Sequence, residues 1–247
     1  MQRISIISLF ALFIFIGCES RNETITNVSP NSDNQNDGTV VTTSANDSGE
    51  NCIETTEYLS ANLISNGSFE EGHSLSDNSW SVFSSLGAWQ IDTTYNDAGI
   101  EIQRGHNIGG LAPSHGDSKL EFDAHDKNGF SASDVAVYQE VDTDAASDYL
   151  ITFDYSPRIS GNKVTNAAEV YWDGELIGTL NAEVKGWQRY TFIVSGAGLG
   201  ARLAFKGYVD NNTVGGYLDD VSMVEILDDE TGADSSIVVR SCDVSVD

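Results

Sequence analysis

The chain has 247 residues and carries 38 acidic against 12 basic side chains, a formal net charge of −26. That balance excludes a nucleic-acid interface, which needs a basic stripe to neutralise phosphates, and it opposes direct docking on anionic lipid. The acid excess keeps the protein soluble through mutual repulsion, and its abundance of hard carboxylate oxygen suits a calcium-rich setting.

In chain order, the first segment is an address rather than a fold. Arg3 is the only basic residue ahead of an apolar run, Ile4 to Ile16, broken by two serines. The run falls short of the about 20 residues a spanning helix needs and has the form of a signal-peptide core. Its end, Phe15-Ile16-Gly17-Cys18, resembles the lipobox of bacterial lipoproteins, with Phe15 where that family usually has Leu. The resemblance implies that Cys18 is lipidated and becomes the first mature residue, each buried acyl methylene adding about 0.8 kcal/mol of anchoring. Glu19 stands where some inner-membrane lipoproteins carry a retaining Asp, which points to the outer membrane or cell surface. With Cys18 given to lipid, Cys52 and Cys242 remain as a candidate disulfide in an oxidising compartment. That bridge requires the two ends of the domain to lie side by side, and closing so long a loop contributes about 3–5 kcal/mol on the chain-entropy model.

Residues 19–51 are nearly all Ser, Thr, Asn, Asp, Glu and Gly without an aromatic. They bury too little apolar surface to offset ordering entropy and read as a disordered polar tether. Residues 52–247 read as a single domain, large enough for a sizeable core. Alternation dominates it. Strands are predicted at Ile100–Gln103, Lys119–Asp123, Val135–Val141, Tyr149–Tyr155 and Ala167–Trp172. Asp173-Gly174 turns the chain into a hairpin partner at Glu175–Leu180, and Trp187–Val194, Arg202–Gly207 and Gly216–Ile226 continue the series. The polar segment after Leu227 ends in Ile237-Val238-Val239 and returns Cys242 towards Cys52. Short strands with Gly- and Asn-rich turns indicate an all-β sandwich or jelly roll.

Two segments at opposite ends of the domain carry a resemblance. They are Asn62-Leu-Ile-Ser-Asn-Gly-Ser-Phe-Glu-Glu71 and Gly216-Tyr-Leu-Asp-Asp-Val-Ser-Met223. Together they resemble the galactose-binding-like jelly roll of many carbohydrate-binding modules, and the resemblance covers about residues 62–226. It implies that the two motifs meet across the sandwich and hold a structural calcium ion. Carried over by position, Glu70 and Asp219 supply carboxylates, Ser68 a backbone carbonyl and the loop around Ser118 and Lys119 further carbonyls, a set of hard oxygens that calcium favours. Asp220 is the alternative to Asp219, because adjacent strand residues point to opposite faces.

A sugar site needs an aromatic face for the C–H side of the ring and planar polar groups for its hydroxyls. Strand parity sends Tyr149, Ile151, Phe153 and Tyr155 inward, as it does Ala168, Val170 and Trp172, and Val135, Val137, Gln139 and Val141. The outward set is then Tyr138, Glu140, Asp154, Arg158, Glu169 and Tyr171, expected on one concave face with Glu101, Gln103 and Arg104 at an edge. Trp172 and Trp187 fall on core parity, whereas Trp80 and Trp89 suit either a rim or the core.

Catalytic motifs are missing: there is no H-E-x-x-H, G-x-S-x-G or P-loop. His73, His106, His115 and His125 lack zinc-ligand spacing, and Asp126-Lys-Asn-Gly129 lacks the leading Asp and closing Glu of an EF-hand loop. Gly196-Ala-Gly-Leu-Gly-Ala201 mimics a dinucleotide fingerprint but leads into a strand, so it is expected to be a hairpin loop. The sequence thus predicts a non-catalytic module for a polysaccharide or glycan ligand, lipid-anchored and stabilised by calcium. A surface adhesin that binds another protein, or a polysaccharide-active enzyme, are the alternatives.

Overall fold

The computed structural model describes residues 42–45, 51–93, 99–125, 132–161, 166–207, 214–228 and 232–242. Cys18, the lipobox and Asp126–Gly129 lie outside the described residues. The strands are β1 (Thr42–Ala45), β2 (Asn51–Leu59), β3 (Ser79–Phe83), β4 (Ser85–Leu86), β5 (Trp89–Ile91), β6 (Ile100–Arg104), β7 (Ser118–Glu121), β8 (Asp123–His125) and β9 (Ala132–Asp134). They continue as β10 (Ala136–Val141), β11 (Asp148–Ser156), β12 (Ala168–Trp172), β13 (Glu175–Leu180), β14 (Gln188–Ser195), β15 (Ala201–Gly207), β16 (Tyr217–Leu227) and β17 (Ser235–Cys242).

The strands form a jelly-roll sandwich. The larger sheet runs β14-β11-β16-β7-β6-β3, and β2 joins the far end of β16 and pairs with β1 and β17. The smaller sheet runs β13-β12-β15-β10-β5-β4, and β8 with β9 makes a separate ribbon. Pairing is antiparallel throughout, so each strand buries one alternate set of side chains. From the larger sheet Ile102, Leu120, Ile151, Phe153, Leu218 and Met223 are fully buried; from the smaller, Trp89, Val137, Val170, Leu203 and Phe205 are. Phe153 joins the layers, meeting Phe205 edge-on at 5.0 Å and stacking on Tyr190 and Phe192 at 5.6 and 5.9 Å. Such pairs contribute beyond their buried area.

The two terminal motifs do meet. Val221 N donates to Gly67 O at 3.0 Å, Leu63 N to Met223 O at 2.8 Å, and Met223 N to Asn62 Oδ1 at 3.0 Å. A Cβ on Gly67 would lie 1.9 Å from Val221 O, so only glycine allows the crossing. Asn66 (φ 53) and Phe69 (φ 60) hold the left-handed turn around it. The Asn66 amide bridges both backbone groups of Glu71, at 3.0 and 2.9 Å. Phe69 then packs on Trp89 at 5.4 Å. Buried Gln139 spends its amide on both backbone groups of Ser65, at 2.8 and 2.9 Å, tying the first motif to the smaller sheet.

Three expectations need correction. The segment expected as a tether contributes β1, which pairs with β2 through Thr42↔Glu54 to Ala45↔Asn51. The Gly196–Ala201 loop is not a hairpin, because β14 lies in the larger sheet and β15 in the smaller. Trp187 is not core: it sits half-buried against Tyr217, with ring centroids 6.4 Å apart. The core-facing set of β14 is Tyr190, Phe192 and Val194, so Trp187 falls on the opposite parity.

Candidate functional site

The outer face of the larger sheet carries a row of ionisable and planar side chains. Gln103 and Lys119 are cross-strand partners on β6 and β7, as are Glu101 and Glu121. Tyr217 faces Glu121 from β16. All five are nearly or fully buried, although their strands alternate them away from the core. The cover is the loop containing the short 3-10 turn Ile108–Gly110. Lys119 Nζ donates to Ile108 O at 3.1 Å, the Tyr217 hydroxyl to Gly109 O at 3.2 Å, and Lys185 Nζ to Gly109 O at 3.1 Å. Trp187 Nε1 holds Ala112 O at 2.8 Å. Gly109 (φ 65) lets the loop descend, since a Cβ there would fall 1.9 Å from the Tyr217 hydroxyl.

Under this roof the polar groups form a continuous network. Trp80 stacks on His125 with ring centroids 4.5 Å apart. His125 meets Glu101 Oε2 through its backbone N and Nδ1, each at 3.0 Å. Gln103 Nε2 donates to Glu101 at 3.2 Å and also to Glu121. Glu121 pairs with Arg158 and accepts from Gly215 N at 3.0 Å. Arg158 and Lys119 both lie over the Tyr217 ring, at 5.9 and 4.9 Å. Gln103 Oε1 finds no hydrogen-bond partner among the described residues. Burial, and then the neighbouring Glu101 charge, push the Glu121 carboxyl well above its ordinary range, opposed by Arg158. Burial lowers the Lys119 ammonium to about 8 against the pull of Glu121 and Asp219. Trp80, 42% exposed, stands at the open end of this row, and His125 and Arg158 keep partial exposure.

Glu70 and Asp219 serve a neighbouring loop. Glu70 Oε1 accepts Asp117 N and Ser118 N, both at 2.7 Å, and Oε2 accepts the Ser118 hydroxyl at 3.1 Å. Asp219 Oδ2 accepts Ser114 N at 2.8 Å and His115 N at 3.0 Å, while Oδ1 accepts Asp220 N at 2.7 Å. The first and last motifs therefore grip the same five-residue turn, 114–118, from two sides. Burial pushes the Asp219 carboxyl up to about 7, and the backbone donors oppose it. A bulge on β16 decides between the adjacent acids. Asp220 takes φ 49 and turns to Arg189 at 2.5 Å, leaving Asp219 at the loop.

The sugar-contact residues expected from parity do not share one face. Glu101, Arg158 and Asp154 belong to the outer face of the larger sheet, where Glu101 is buried rather than at an edge. Asp154 is tied to Arg189 at 2.6 Å. Tyr138, Glu140, Glu169 and Tyr171 lie on the outer face of the smaller sheet. Parity told inside from outside correctly, but β11 and β12, consecutive in sequence, enter opposite sheets. Gln103 keeps the company of Glu101 expected from sequence, whereas Glu121, His125 and Trp80 join the network without having been grouped with them. The available signal was the polar alternation Glu101/Gln103 and Lys119/Glu121 about the core residues Ile102 and Leu120.

No family model matches the chain. Among curated proteins, the multifunctional-autoprocessing repeats-in-toxin of Vibrio vulnificus is 26% identical over 162 residues, covering 65% of this chain and 3% of the toxin. Its counterpart in Vibrio cholerae serotype O1 is 24% identical over 171 residues, covering 68% of this chain and 3% of the toxin. The chain thus spans about 3% of the length of these relatives. Among solved structures, a Stig cyclase from Fischerella sp. TAU with a bound indole compound aligns at TM-score 0.48 and 11% identity, over 67% of this chain and 97% of that one. A family 61 carbohydrate-binding module in complex with β-1,4-galactotriose aligns at TM-score 0.37 and 19% identity, over 66% and 98%. The xylan-binding domain CBM22-1 of Paenibacillus barcinonensis Xyn10C aligns at TM-score 0.37 and 12% identity, over 68% and 97%.

Removing Arg158 leaves the Glu121 charge buried without its partner. Arg158→Ala is expected to lower the unfolding free energy by about 3 kcal/mol, the low end for buried pairs because Arg158 keeps some exposure. Adding Glu121→Gln to that variant should recover part of the loss in urea denaturation. An equal loss in both variants would assign the effect to packing instead of charge.

Proposed function

We propose that this chain is a non-catalytic glycan-binding module, held at the outer membrane or cell surface by a lipid anchor and stabilised by calcium. The observation that carries the binding reading is the network running from Trp80 through His125, Glu101, Gln103 and Glu121 to Arg158. Trp80 offers a ring face to the C–H side of a pyranose, and His125 and Arg158 offer planar donors to its hydroxyls. Buried Glu101 and Glu121 hold those donors in place, so little rotamer entropy is lost on binding. The net charge of −26 disfavours polyanionic glycans and favours neutral ones. In affinity gels containing xylan or β-1,4-galactan, migration is expected to slow, and Trp80→Ala or His125→Ala should raise the dissociation constant about tenfold, about 1.4 kcal/mol. Unchanged mobility across neutral polysaccharides would sink the reading. The Glu101–Glu121 pair, one carboxyl held above its ordinary range, favours acid catalysis as the second reading. Release of reducing ends in the same incubations would put it first.

The donor chemistry of Glu70 and Asp219 supports the calcium part. Among the described residues, no three His, Cys, Asp or Glu side chains are grouped to hold a metal. A carboxylate has about four acceptor sites; Glu70 and Asp219 each use three on backbone or hydroxyl donors and keep one for a cation. Carbonyls of Ser68 and Lys119 and water would supply the remaining oxygens that calcium needs. Thermal unfolding should fall on chelation with EDTA and recover with calcium, by about 2.7 kcal/mol at a hundredfold excess over the dissociation constant. Glu70→Ala and Asp219→Ala should abolish the recovery. A metal-free sample whose midpoint calcium leaves unchanged would remove the ion from this account.

The disulfide reading is supported by backbone register, which sets Cys242 opposite Cys52 where β17 pairs with β2. The anchor reading rests on the lipobox resemblance. Peptide mapping of protein from its native envelope should recover Cys18 as an acylated N-terminal residue and Cys52 linked to Cys242 until reduction. An unacylated Cys18 or two free thiols would remove the respective feature.

A further inference from the structure

We propose that the outer face of the smaller sheet is a second, separate surface for a neutral polysaccharide chain, which makes the module bivalent. The inference rests on the glycan-binding reading above but uses none of its residues. Cross-strand register sets Gln90, Tyr138, Ala204, Tyr171 and Leu176 in one row over β5, β10, β15, β12 and β13. With neighbouring strands about 4.8 Å apart, the two tyrosines are roughly 10 Å apart across the row. Ala204 between them is small, so the floor stays low between two rings. That is a platform for successive rings of a linear chain.

Both rings are held in place. The Tyr138 hydroxyl donates to Gln90 Oε1 at 3.0 Å, and the Arg202 guanidinium lies 4.2 Å from the ring centroid. The Tyr171 hydroxyl donates to Glu169 Oε2 at 2.7 Å. Rings fixed before binding lose little entropy when a ligand stacks on them. The charges of this face pair off within it: Arg202 with Glu140 at 2.8 Å and Lys206 with Glu169 at 3.8 Å. On a chain of net charge −26, this is a locally balanced patch. It suits an uncharged, hydroxyl-rich occupant and offers no net charge to an ionic one. Its apolar component is small, with Leu176 exposed only at the row's end, unlike the apolar centre of a stable protein interface.

The two outer faces lie on opposite sides of a core about 10 Å thick, so one saccharide segment cannot occupy both. Two segments can, and the protein then cross-links polymer. The test is light scattering and affinity electrophoresis with soluble xylan and β-1,4-galactan. Wild-type protein is expected to cross-link polymer, with scattering greatest at an intermediate protein-to-polymer ratio. Tyr138→Ala/Tyr171→Ala should lose the scattering maximum yet still be retarded through the Trp80 face. Trp80→Ala should also lose the maximum and keep weak retardation, which the triple variant loses. Tyr138→Phe/Tyr171→Phe keeps the stacking rings and should keep cross-linking, which separates ring loss from misfolding. Scattering unaltered in the double alanine variant overturns the second surface while leaving the first reading intact. Retardation abolished by that variant and untouched by Trp80→Ala leaves one site, overturning bivalency and the first assignment together. A changed sedimentation coefficient of the double variant without polymer assigns the face to self-association, and no retardation of any form removes both readings.

Discussion

The backbone of Val221 lies so close to Gly67 that one methyl group on the glycine would collide with a carbonyl oxygen. Everything at the functional end of the sandwich depends on this crossing. It brings the turn 66–69 under β16, which sends Phe69 into the core beside Trp89 and leaves Glu70 pointing at the 114–118 turn. The bulge on β16 sends Asp219 to the same turn from the other side. A loop gripped by two carboxylates through backbone N–H groups has few alternative conformations. β7 leaves that turn directly, so the position of Lys119 and Glu121 follows from the crossing.

The covered face of the larger sheet is costly to build. Burying Glu101, Lys119 and Glu121 removes three charges from water, and pairing in such settings often does no better than an apolar core of equal volume. The arrangement is nonetheless nearly saturated with partners, from His125, Gln103, Arg158 and Gly215 to the carbonyls of the covering loop. The gain is geometric. A donor fixed by buried acids presents one orientation to whatever approaches the Trp80 end. Gln103 Oε1, which has no hydrogen-bond partner among the described residues, is the exception within that network, and a Cβ on Gly109 of the covering loop would lie 2.6 Å from it.

Much of the fold is legible in the sequence. The inward sets of β10, β11 and β12 came out as alternation predicts, including polar Gln139 among apolar neighbours, and Glu175–Leu180 has the predicted bounds. The candidate site was legible only in pieces. Glu101 and Arg158 were both singled out, and they do meet, through Gln103 and Glu121. Their grouping with Tyr138, Glu169 and Tyr171 failed because strand parity says which side of a sheet a residue takes but not which sheet. A jelly roll sends consecutive strands to opposite layers, so β11 and β12 part company at the segment between Ser156 and Ala168.

Composition and alternation alone determined that this chain folds as an antiparallel all-β sandwich and that it repels polyanions. Both are sums over many residues, and no single contact alters them. The paired acids at 219 and 220 left the choice between them open, because adjacent strand residues point to opposite faces. Which acid serves the 114–118 turn was decided by a one-residue bulge, and burial of the Glu101–Glu121 row by a loop folding over it. The separation of two candidate faces was decided by sheet membership. These are long-range pairings, fixed when the core closes, and local residue preferences carry no information about them.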